Sequence, residues 1–280
     1  MATGADGPVA IVAGAGVLPK ILAQEELVAG RGHLVIAFEG IAPDWIDAHP
    51  HAIVPFEKPG RLLRALKEAG IARVCFAGGM QRPRLSPLRF DATLLRWAPR
   101  LLPALKGGDD ALLRLLAEFF EANGYDVVAA HDLSDALMEP AGVPTKAHPT
   151  QADRSDAARA RAVLDALAPH DVGQAAVVGQ GLCLGIETVQ GTDALLRFVA
   201  QNDAALPDPE GARGVLVKLP KRGQDTRLDM PAIGPETIRR VADAGLGGLV
   251  IEAGGVMVLG REEVIALADA AGLFILSEAP

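Results

Sequence analysis

The sequence predicts an α/β protein with two domains: a Rossmann-like N-terminal domain with a parallel sheet, and a second, C-terminal α/β domain. Short apolar runs alternate with amphipathic helical segments along most of the chain, which is the pattern of parallel strands joined by crossover helices. Half of the 280 residues are apolar and only 4% are aromatic, a composition that favours close-packed α/β layers over disorder. Because this length exceeds one ordinary core, two domains are expected.

The first half of the chain has the pattern of a parallel sheet. We expect strands at residues 9–13, 33–38, 52–55, 72–77 and 126–130, and helices at residues 17–29 and 59–69. The second of these helices carries the apolar stripe that a crossover helix lays on a sheet, formed by Leu62, Ala65, Leu66 and Ala69. Right-handed crossovers then fix the topology.

Two leucine-rich segments follow, and only the second has uninterrupted helical spacing. The first, at residues 91–106, is broken by Pro99 and Pro103. The second ends at Asn123-Gly124 and has one apolar helical face, made of Leu112, Leu115, Leu116, Phe119 and Phe120.

The domain boundary is expected between Glu139 and Thr150, where three prolines and a glycine interrupt the apolar pattern. We therefore predict an N-terminal domain at residues 1–140, a linker at 141–150 and a C-terminal α/β domain at 151–280. In the second domain we expect helices around 160–167, from 193, from 235 and at 262–271, and strands at 175–179, 182–186, 214–219, 249–252, 256–259 and 273–276.

Composition excludes several classes of protein. With 27 basic and 35 acidic residues the net charge is −8, so no nucleic-acid partner is expected. Cys75 and Cys183 have no ligand-spaced partner and are expected to be buried apolar residues. The N-terminal residues lack a secretory pattern, and no apolar stretch reaches the roughly 20 residues of a membrane span, so a cytoplasmic protein is expected.

A glycine turn, Gly14-Ala15-Gly16, follows the first strand and opens a helix, where backbone N–H groups can hold a phosphate. Pro19 occupies the position where the dinucleotide fingerprint has glycine or alanine. Glu39, after the second strand, could still bind a ribose. Ligand binding and a purely structural turn both remain open.

A second glycine turn, at Gly78 and Gly79, follows another strand, and Arg82 beside it could bind a phosphate with two hydrogen bonds. Further along, Lys106 and two glycines precede Asp109 and Asp110 at the start of a helix. These two acids could instead serve as the helix cap and first-turn charge.

The second half contains two polar segments. Residues 187–193 join a strand to a helix, and Thr192 is expected to cap that helix, whereas Glu187 ends an apolar strand and needs a partner. The other segment, residues 218–229, combines basic and acidic residues around Pro220 and before Pro231. This is the combination that phosphoryl chemistry uses, although a solvated loop is the alternative. Its members are Lys218, Lys221, Arg222, Gln224, Asp225, Arg227 and Asp229. His49 and His51 are expected at the surface.

Taken together, these segments resemble the Mg²⁺-dependent UDP-2,3-diacylglucosamine pyrophosphatases of the LpxI type. The resemblance runs nearly end to end and rests on residues 14–19, 106–110, 171–174, 187–193 and 218–234. It implies hydrolysis of UDP-2,3-diacylglucosamine to UMP and 2,3-diacylglucosamine 1-phosphate in lipid A synthesis. It also implies a nucleotide-sugar lipid substrate, a Rossmann-like N-terminal domain and a separate C-terminal catalytic domain with product bound between them, and a homodimer. Because no transmembrane span is expected, we predict transient contact with the inner membrane that supplies the lipid.

The resemblance further implies roles for individual residues. Asp225 is the expected catalytic residue, with Asp229 as its nearest rival and Lys218 neutralising the diphosphate. Asp225, Glu187 and Asp193 are expected to hold Mg²⁺. Substrate binding is expected at Gly14, Gly16, Gly78, Gly79, Arg82, Lys106, Asp109, Asp110, Thr188, Gly191, Thr192, Lys221 and Gln224.

Two alternatives stay open from the residues alone: an NAD-dependent oxidoreductase built on the N-terminal sheet, and a non-catalytic nucleotide-sugar or lipid carrier. The leucine-rich segment could line a groove for the acyl chains or belong to an ordinary core. Its large apolar members are Leu94, Leu95, Trp97, Leu101, Leu102 and Leu105.

Overall fold

The protein folds as two compact α/β units. A computed structural model describes residues 7–79, 85–105, 109–202, 206–221 and 225–279, without the side chains of Leu102, Asp109 and Asp110. The first unit comprises Met1–Ser134 and Asp225–Asp229, and the second comprises Asp135–Gln224 and Met230–Pro280. A five-residue segment of the C-terminal half therefore belongs to the N-terminal unit.

The first unit is built on a five-stranded parallel sheet with the order β3-β2-β1-β4-β5. Its elements are β1 (Val9–Ala13), α1 (Leu18–Val28), β2 (His33–Phe38), β3 (His51–Val54), α2 (Pro59–Glu68), β4 (Arg73–Ala77), α3 (Ala92–Ala104), α4 (Asp109–Ala122) and β5 (Asp126–Val128). Because β1 pairs with β2 on one side and β4 on the other, the loops after β1 and β4 lie at the switch point of the sheet. The Rossmann-like prediction is confirmed.

Helix α3 runs without interruption through Pro99 and Pro103, so the predicted break is wrong. The two prolines are four residues apart and both are exposed, which places them on one solvent-facing side of the helix. The carbonyl of Leu95, which loses its partner at Pro99, belongs to a residue that is 58% exposed and can be hydrated. Asp91 caps the helix by accepting from the N–H of Leu94 at 2.8 Å.

The second unit has a mixed five-stranded sheet with the order β12-β10-β8-β6-β7 and a two-stranded sheet of β9 and β11. Its elements are α5 (Gln151–Leu167), β6 (Ala175–Gly179), β7 (Leu182–Ile186), α6 (Thr192–Gln201), β8 (Val215–Lys218), β9 (Ala232–Ile233), α7 (Pro235–Asp243), β10 (Gly248–Glu252), β11 (Met257–Val258), α8 (Arg261–Ala270) and β12 (Phe274–Glu278). Strands β8, β10 and β12 are parallel, and β6 runs antiparallel to both β7 and β8.

The segment predicted as a linker has contacts within the second unit. Gly142 pairs with Ser277 beside β12, and the hydroxyl of Thr145 accepts from the N–H of Ile275 at 3.0 Å. Just before this segment, the buried carboxylate of Glu139 accepts from Arg261 at 2.7 and 3.0 Å. The limits 1–140, 141–150 and 151–280 stay predictions.

Two local expectations are wrong. Cys75 is buried as predicted, but Cys183 is exposed because it lies on the edge strand β7. His49 is buried rather than at the surface, and its Nδ1 lies 3.1 Å from Nε2 of His33. In the part of the chain that the structure describes, no helix is long and apolar enough to cross a membrane.

Candidate active site

The segment 225–229 forms a tight turn in the first unit. The N–H groups of Leu228 and Asp229 both donate to the carbonyl of Asp225, at 3.0 and 3.2 Å. Leu228 packs against the core of the first sheet. The turn thus fixes Asp225 and Asp229 four residues apart on one short loop.

The carboxylate of Asp225 is bound by the guanidinium of Arg227. Nε of Arg227 lies 3.0 Å from Oδ1 and Nη2 lies 2.7 Å from Oδ2, while the backbone N–H of Arg227 also donates to Oδ1 at 3.1 Å. Nη1 of Arg227 donates to Oε1 of Glu121 on α4 at 3.0 Å. The hydrogen bond from Arg227 holds the pKa of Asp225 below its ordinary value, against the opposing effect of burial. Asp225 is therefore an ionised group with a fixed orientation.

An apolar cavity of about 310 Å³ lies in the first unit, and Leu228 and Asp229 are among the residues that line it. Most of its wall is leucine and aromatic. The side chains from the helices are Pro59, Leu62, Leu94, Trp97, Leu101, Leu112, Leu113, Leu115, Leu116, Phe119 and Phe120, with Leu105 just beyond α3. Of the predicted groove residues, Leu94, Trp97, Leu101 and Leu105 line the cavity, and Leu95 is exposed on the other side of α3. The side chain of Leu102 is not described.

The two glycine turns of the first unit pack directly on each other. Ala15 and Gly79 exchange backbone hydrogen bonds of 2.8 and 3.1 Å, and the N–H of Gly14 donates to the carbonyl of Ala77 at 2.7 Å. A Cβ at Gly14 would lie 2.6 Å from the carbonyl oxygen of Gly79, so glycine is required by this close approach. Gly78 and Gly79 also line the apolar cavity.

The same contacts bear on dinucleotide binding. The N–H groups of Gly14 and Ala15 already have backbone partners, so they do not offer the free donors of a pyrophosphate site. Glu39 accepts from Arg89 at 3.1 Å instead of presenting an unpaired carboxylate. Gly16 has a φ of +93° and no neighbour within 4 Å of a built Cβ. Substrate binding by Gly14, Gly16, Gly78 and Gly79 stays a prediction.

In the second unit, the hydroxyl of Thr192 links Lys218, at the end of β8, to Glu187 through two hydrogen bonds. Nζ of Lys218 donates to the hydroxyl of Thr192 at 2.8 Å, and that hydroxyl donates to Oε2 of Glu187 at 2.6 Å. Glu187 and Lys218 are 8% and 7% exposed. The partner that the sequence required for Glu187 is therefore present.

The expected capping role of Thr192 is wrong. The N-cap of α6 is Gly191, with a φ of +83° and no side-chain cap, and Thr192 is the first helical residue. Its hydroxyl faces Glu187 and Lys218 instead. Asp193, in the same turn, forms an ion pair of 3.7 Å with Arg240, and exposed Thr188 hydrogen bonds to Gln190.

Lys221 pairs with Asp171 at 2.6 Å. Both line a cavity of about 30 Å³, enough for ordered water, together with Gln174. Oε1 of Gln174 is buried and has no hydrogen-bond partner among the described residues. The remaining predicted binding groups lie outside the residues and side chains that the structure describes: Arg82, Lys106, Gln224 and the side chains of Asp109 and Asp110.

The predicted Mg²⁺ ligands do not form a ligand set in the described residues. Asp225 is bound by Arg227, Glu187 by Thr192, and Asp193 by Arg240. Across the described ranges, no group of three or more His, Cys, Asp or Glu side chains is arranged to hold a metal ion. The Mg²⁺ ligands therefore stay a prediction.

The sequence analysis gave individual roles to Asp225, Asp229 and Lys218, named Arg227 only as a member of the mixed-charge segment, and did not single out Glu121. Arg227 carried a signal, since it lies two residues from Asp225 in the mixed-charge segment. Glu121 carried none, because it lies on the polar side of an amphipathic helix, where acids are ordinary.

Known proteins match both halves of the chain. Residues 8–137 match the LpxI N-terminal domain family, and residues 140–276 match the LpxI C-terminal domain family. A curated protein of Caulobacter vibrioides, UDP-2,3-diacylglucosamine pyrophosphatase LpxI, is 41% identical over 271 residues, covering 96% of this chain and 97% of that protein. The resemblance inferred from the sequence is confirmed over nearly its whole length.

Proposed function

The chain belongs to the LpxI family, and we propose that it hydrolyses the diphosphate of UDP-2,3-diacylglucosamine to UMP and 2,3-diacylglucosamine 1-phosphate. In this reaction, water forms a new P–O bond at one phosphorus while the bridging oxygen leaves with the other. The two products are monophosphates, one on the nucleoside and one on the lipid sugar. The lipid product places the protein in lipid A biosynthesis.

The observation that carries this proposal is the apolar cavity beside the 225–229 turn. A diacylated substrate needs a site that takes hydrocarbon chains out of water next to the group that acts on the phosphate. The cavity supplies the apolar site for hydrocarbon chains. Leu228 and Asp229 in its wall connect it to the turn that holds Asp225. We propose that the acyl chains occupy this cavity.

The environment of Asp225 favours one of two roles in the reaction. A carboxylate with a lowered pKa is a weak base, so it gains little by accepting a proton from water. An ionised carboxylate with a fixed orientation can still hold a water molecule or a developing positive charge in place. We therefore propose that Asp225 orients the attacking water, and that Lys218 and Lys221 neutralise the diphosphate.

Magnesium dependence is also proposed, and its support is the resemblance described from the sequence. Titrating the enzyme with a chelator and then restoring Mg²⁺ tests it. Activity that is unchanged in excess chelator would remove the metal from the proposal. The same titration separates the enzyme from a carrier, for which we expect no metal dependence.

We further propose a cytoplasmic homodimer that contacts the inner membrane transiently to obtain its substrate. Sedimentation of the purified protein tests the dimer. Fractionation of cells tests the compartment, and release from membranes by high salt is the expected behaviour of a transient contact. Retention in membranes after that wash would contradict it.

The decisive experiment is to incubate the purified chain with UDP-2,3-diacylglucosamine, with and without Mg²⁺, and to measure UMP and the monophosphorylated lipid. Asp225→Asn should lower turnover by about a hundredfold or more while substrate binding persists, because the amide keeps the shape and loses the charge. Asp229→Asn is the matched comparison.

Near-normal turnover in Asp225→Asn would move the catalytic role to Asp229 or elsewhere. Tight NADH binding without UMP release would favour the oxidoreductase alternative instead. The hydrogen-bonded glycine turn and the Arg89–Glu39 pair count against that outcome.

A further inference from the structure

The side chains of Glu187, Thr192 and Lys218 form a hydrogen-bonded chain with a fixed direction. An ammonium group can only donate, so the hydroxyl of Thr192 accepts from Lys218 and must direct its own proton to Glu187. Only a hydroxyl both accepts and donates through one atom at this position. A serine would preserve the arrangement and a valine would abolish it.

Strand register determines the spacing of the two charged residues. Ala175 of β6 is paired with Lys218 of β8, and the carbonyl of Ala175 accepts from the N–H of Glu187 at 2.8 Å. Glu187 and Lys218 therefore lie on opposite sides of Ala175, separated by two strand spacings or about 10 Å of backbone. Thr192, at the start of α6, spans this separation.

Helix stability does not account for Thr192. A threonine contributes most to a helix as its N-cap, yet here Gly191 takes that position and the threonine hydroxyl makes no cap. The hydroxyl is instead committed to two residues that are more than nine-tenths buried. The role of this hydroxyl therefore lies in its contacts with Lys218 and Glu187.

An interposed hydroxyl has a specific electrostatic effect. The hydroxyl carries no charge of its own, and its hydrogen bond fixes the direction in which the Lys218 ammonium points. The long lysine side chain is also ordered before any ligand arrives, which lowers the entropy lost on binding. Lys218 lies at the carboxyl end of β8, beside the first residue of α6, whose positive helix end adds to the potential for an anion.

We propose that Thr192 and Glu187 are positioning residues that fix the ammonium of Lys218 for the substrate diphosphate. The inference rests on the proposed function, which assigns the diphosphate to Lys218. It gives Glu187 a task other than the magnesium ligation that the sequence suggested. The two tasks respond differently to substitution.

A double-mutant cycle with Thr192→Val and Lys218→Met tests the proposal. Two readouts are used: kcat/KM for UDP-2,3-diacylglucosamine, and the Kd of UDP measured by calorimetry. Thr192→Val should weaken both by about tenfold in the native background and by nothing further in Lys218→Met. Thr192→Ser should restore both to near the native values.

Thr237→Val is the matched control. Its hydroxyl, in the first turn of α7, accepts from the N–H of Gly234 at 3.3 Å, so the substitution also removes a threonine hydroxyl at a helix start. We expect its activity and UDP affinity to be unchanged. Thermal unfolding of every variant separates altered positioning from altered folding.

Three results would overturn the inference. The first is an equal loss from Thr192→Val in both backgrounds, and the second is failure of Thr192→Ser to restore binding and activity. The third is a Glu187→Gln variant that needs about tenfold more Mg²⁺, as a metal ligand would. Absence of UMP release by the native chain would refute the proposed function, while the UDP-binding cycle would still judge Lys218 and its partners.

Discussion

Arg227 binds both carboxylate oxygens of Asp225 and, with its remaining nitrogen, reaches Glu121. One guanidinium thus connects the predicted catalytic acid to helix α4. Leu228, next in sequence, packs into the core of the same unit. The orientation of Asp225 therefore depends on residues that need not touch the substrate.

Replacing Arg227 with glutamine should move the acid limb of the pH–rate profile to higher pH. Arg227 lowers the pKa of Asp225, and burial, which remains after the substitution, raises it. Without the guanidinium the carboxylate is therefore protonated at a higher pH, and activity should fall earlier as the pH decreases. The measurement is kcat/KM from about pH 4 to 8.

Arg239→Gln is the control for this experiment, because Arg239 is an arginine on α7 whose partners are Glu236 and Glu263. Its profile should match that of the native protein. If Arg227→Gln showed the same acid limb as this control, Arg227 would have no influence on the ionisation that limits catalysis.

Filling the cavity should change acyl-chain preference. Leu112→Trp adds a large ring to a residue of the cavity wall, so kcat/KM for a long-chain substrate should fall by about tenfold or more, with a short-chain analogue little affected. Leu95→Trp adds the same volume on the exposed side of α3 and should leave both values unchanged. Equal losses for both chain lengths would argue that the chains bind elsewhere.

Gly78 should be far less tolerant of alanine than Gly124. Both have a positive φ, +83° and +86°, so both substitutions carry a similar backbone cost of about 1 kcal/mol. Only at Gly78 would the new methyl group overlap the carbonyl oxygen of Ala15, and we expect a total loss of about 3 kcal/mol or more there. Urea unfolding measures the free energy of unfolding of the two variants, Gly78→Ala and Gly124→Ala. An equal loss of stability in both would mean that the two glycine turns of the first unit can separate freely.

Stability should decline as the pH falls below the ordinary histidine pKa of 6.5. Burial and the neighbouring His33 lower the pKa of His49, so the unfolded chain takes up a proton at this position before the folded chain does. Protonation therefore favours unfolding, and the effect grows from pH 6.5 downward until the folded pKa is passed. The other charged group close by is Asp47, whose Oδ1 lies 3.7 Å from Nε2 of His51.

The measurement is the free energy of unfolding in urea at about pH 7.5 and 5.5. His49→Gln should flatten the difference between the two, and His148→Gln, an exposed replacement, should retain it. An unchanged pH dependence in His49→Gln would show that other groups control acid stability.

Local patterns sufficed for most strands and most helices, although the two-residue strand β9 (Ala232–Ile233) was not predicted. Val9–Ala13 and Arg73–Ala77 are short apolar runs ending in glycine turns, and each turn has its cause within a few residues. The break predicted at Pro99 and Pro103 was wrong because a helix accommodates an internal proline when the carbonyl left without a partner faces water. The sequence of one segment does not show which side of the helix faces water.

The site was predicted less fully for a related reason. Thr192 fits the pattern of a cap, and only the register of β6, β7 and β8 shows that two buried charged residues both bind its hydroxyl. Arg227 and Glu121 are 106 positions apart. A contact over that distance follows from the fold of the whole unit, and no local periodicity encodes it.

The return of residues 225–229 to the first unit has a consequence for dissecting this protein. Cutting the chain between Ser134 and Asp135 would give an N-terminal fragment that has most of the apolar cavity wall but lacks Asp225. The C-terminal fragment would contain Asp225 without the unit into which residues 225–229 fold. Each fragment would lack something that only the other encodes. Independent expression of the halves is thus a poor route to partial activity, and co-expression is the appropriate complementation assay.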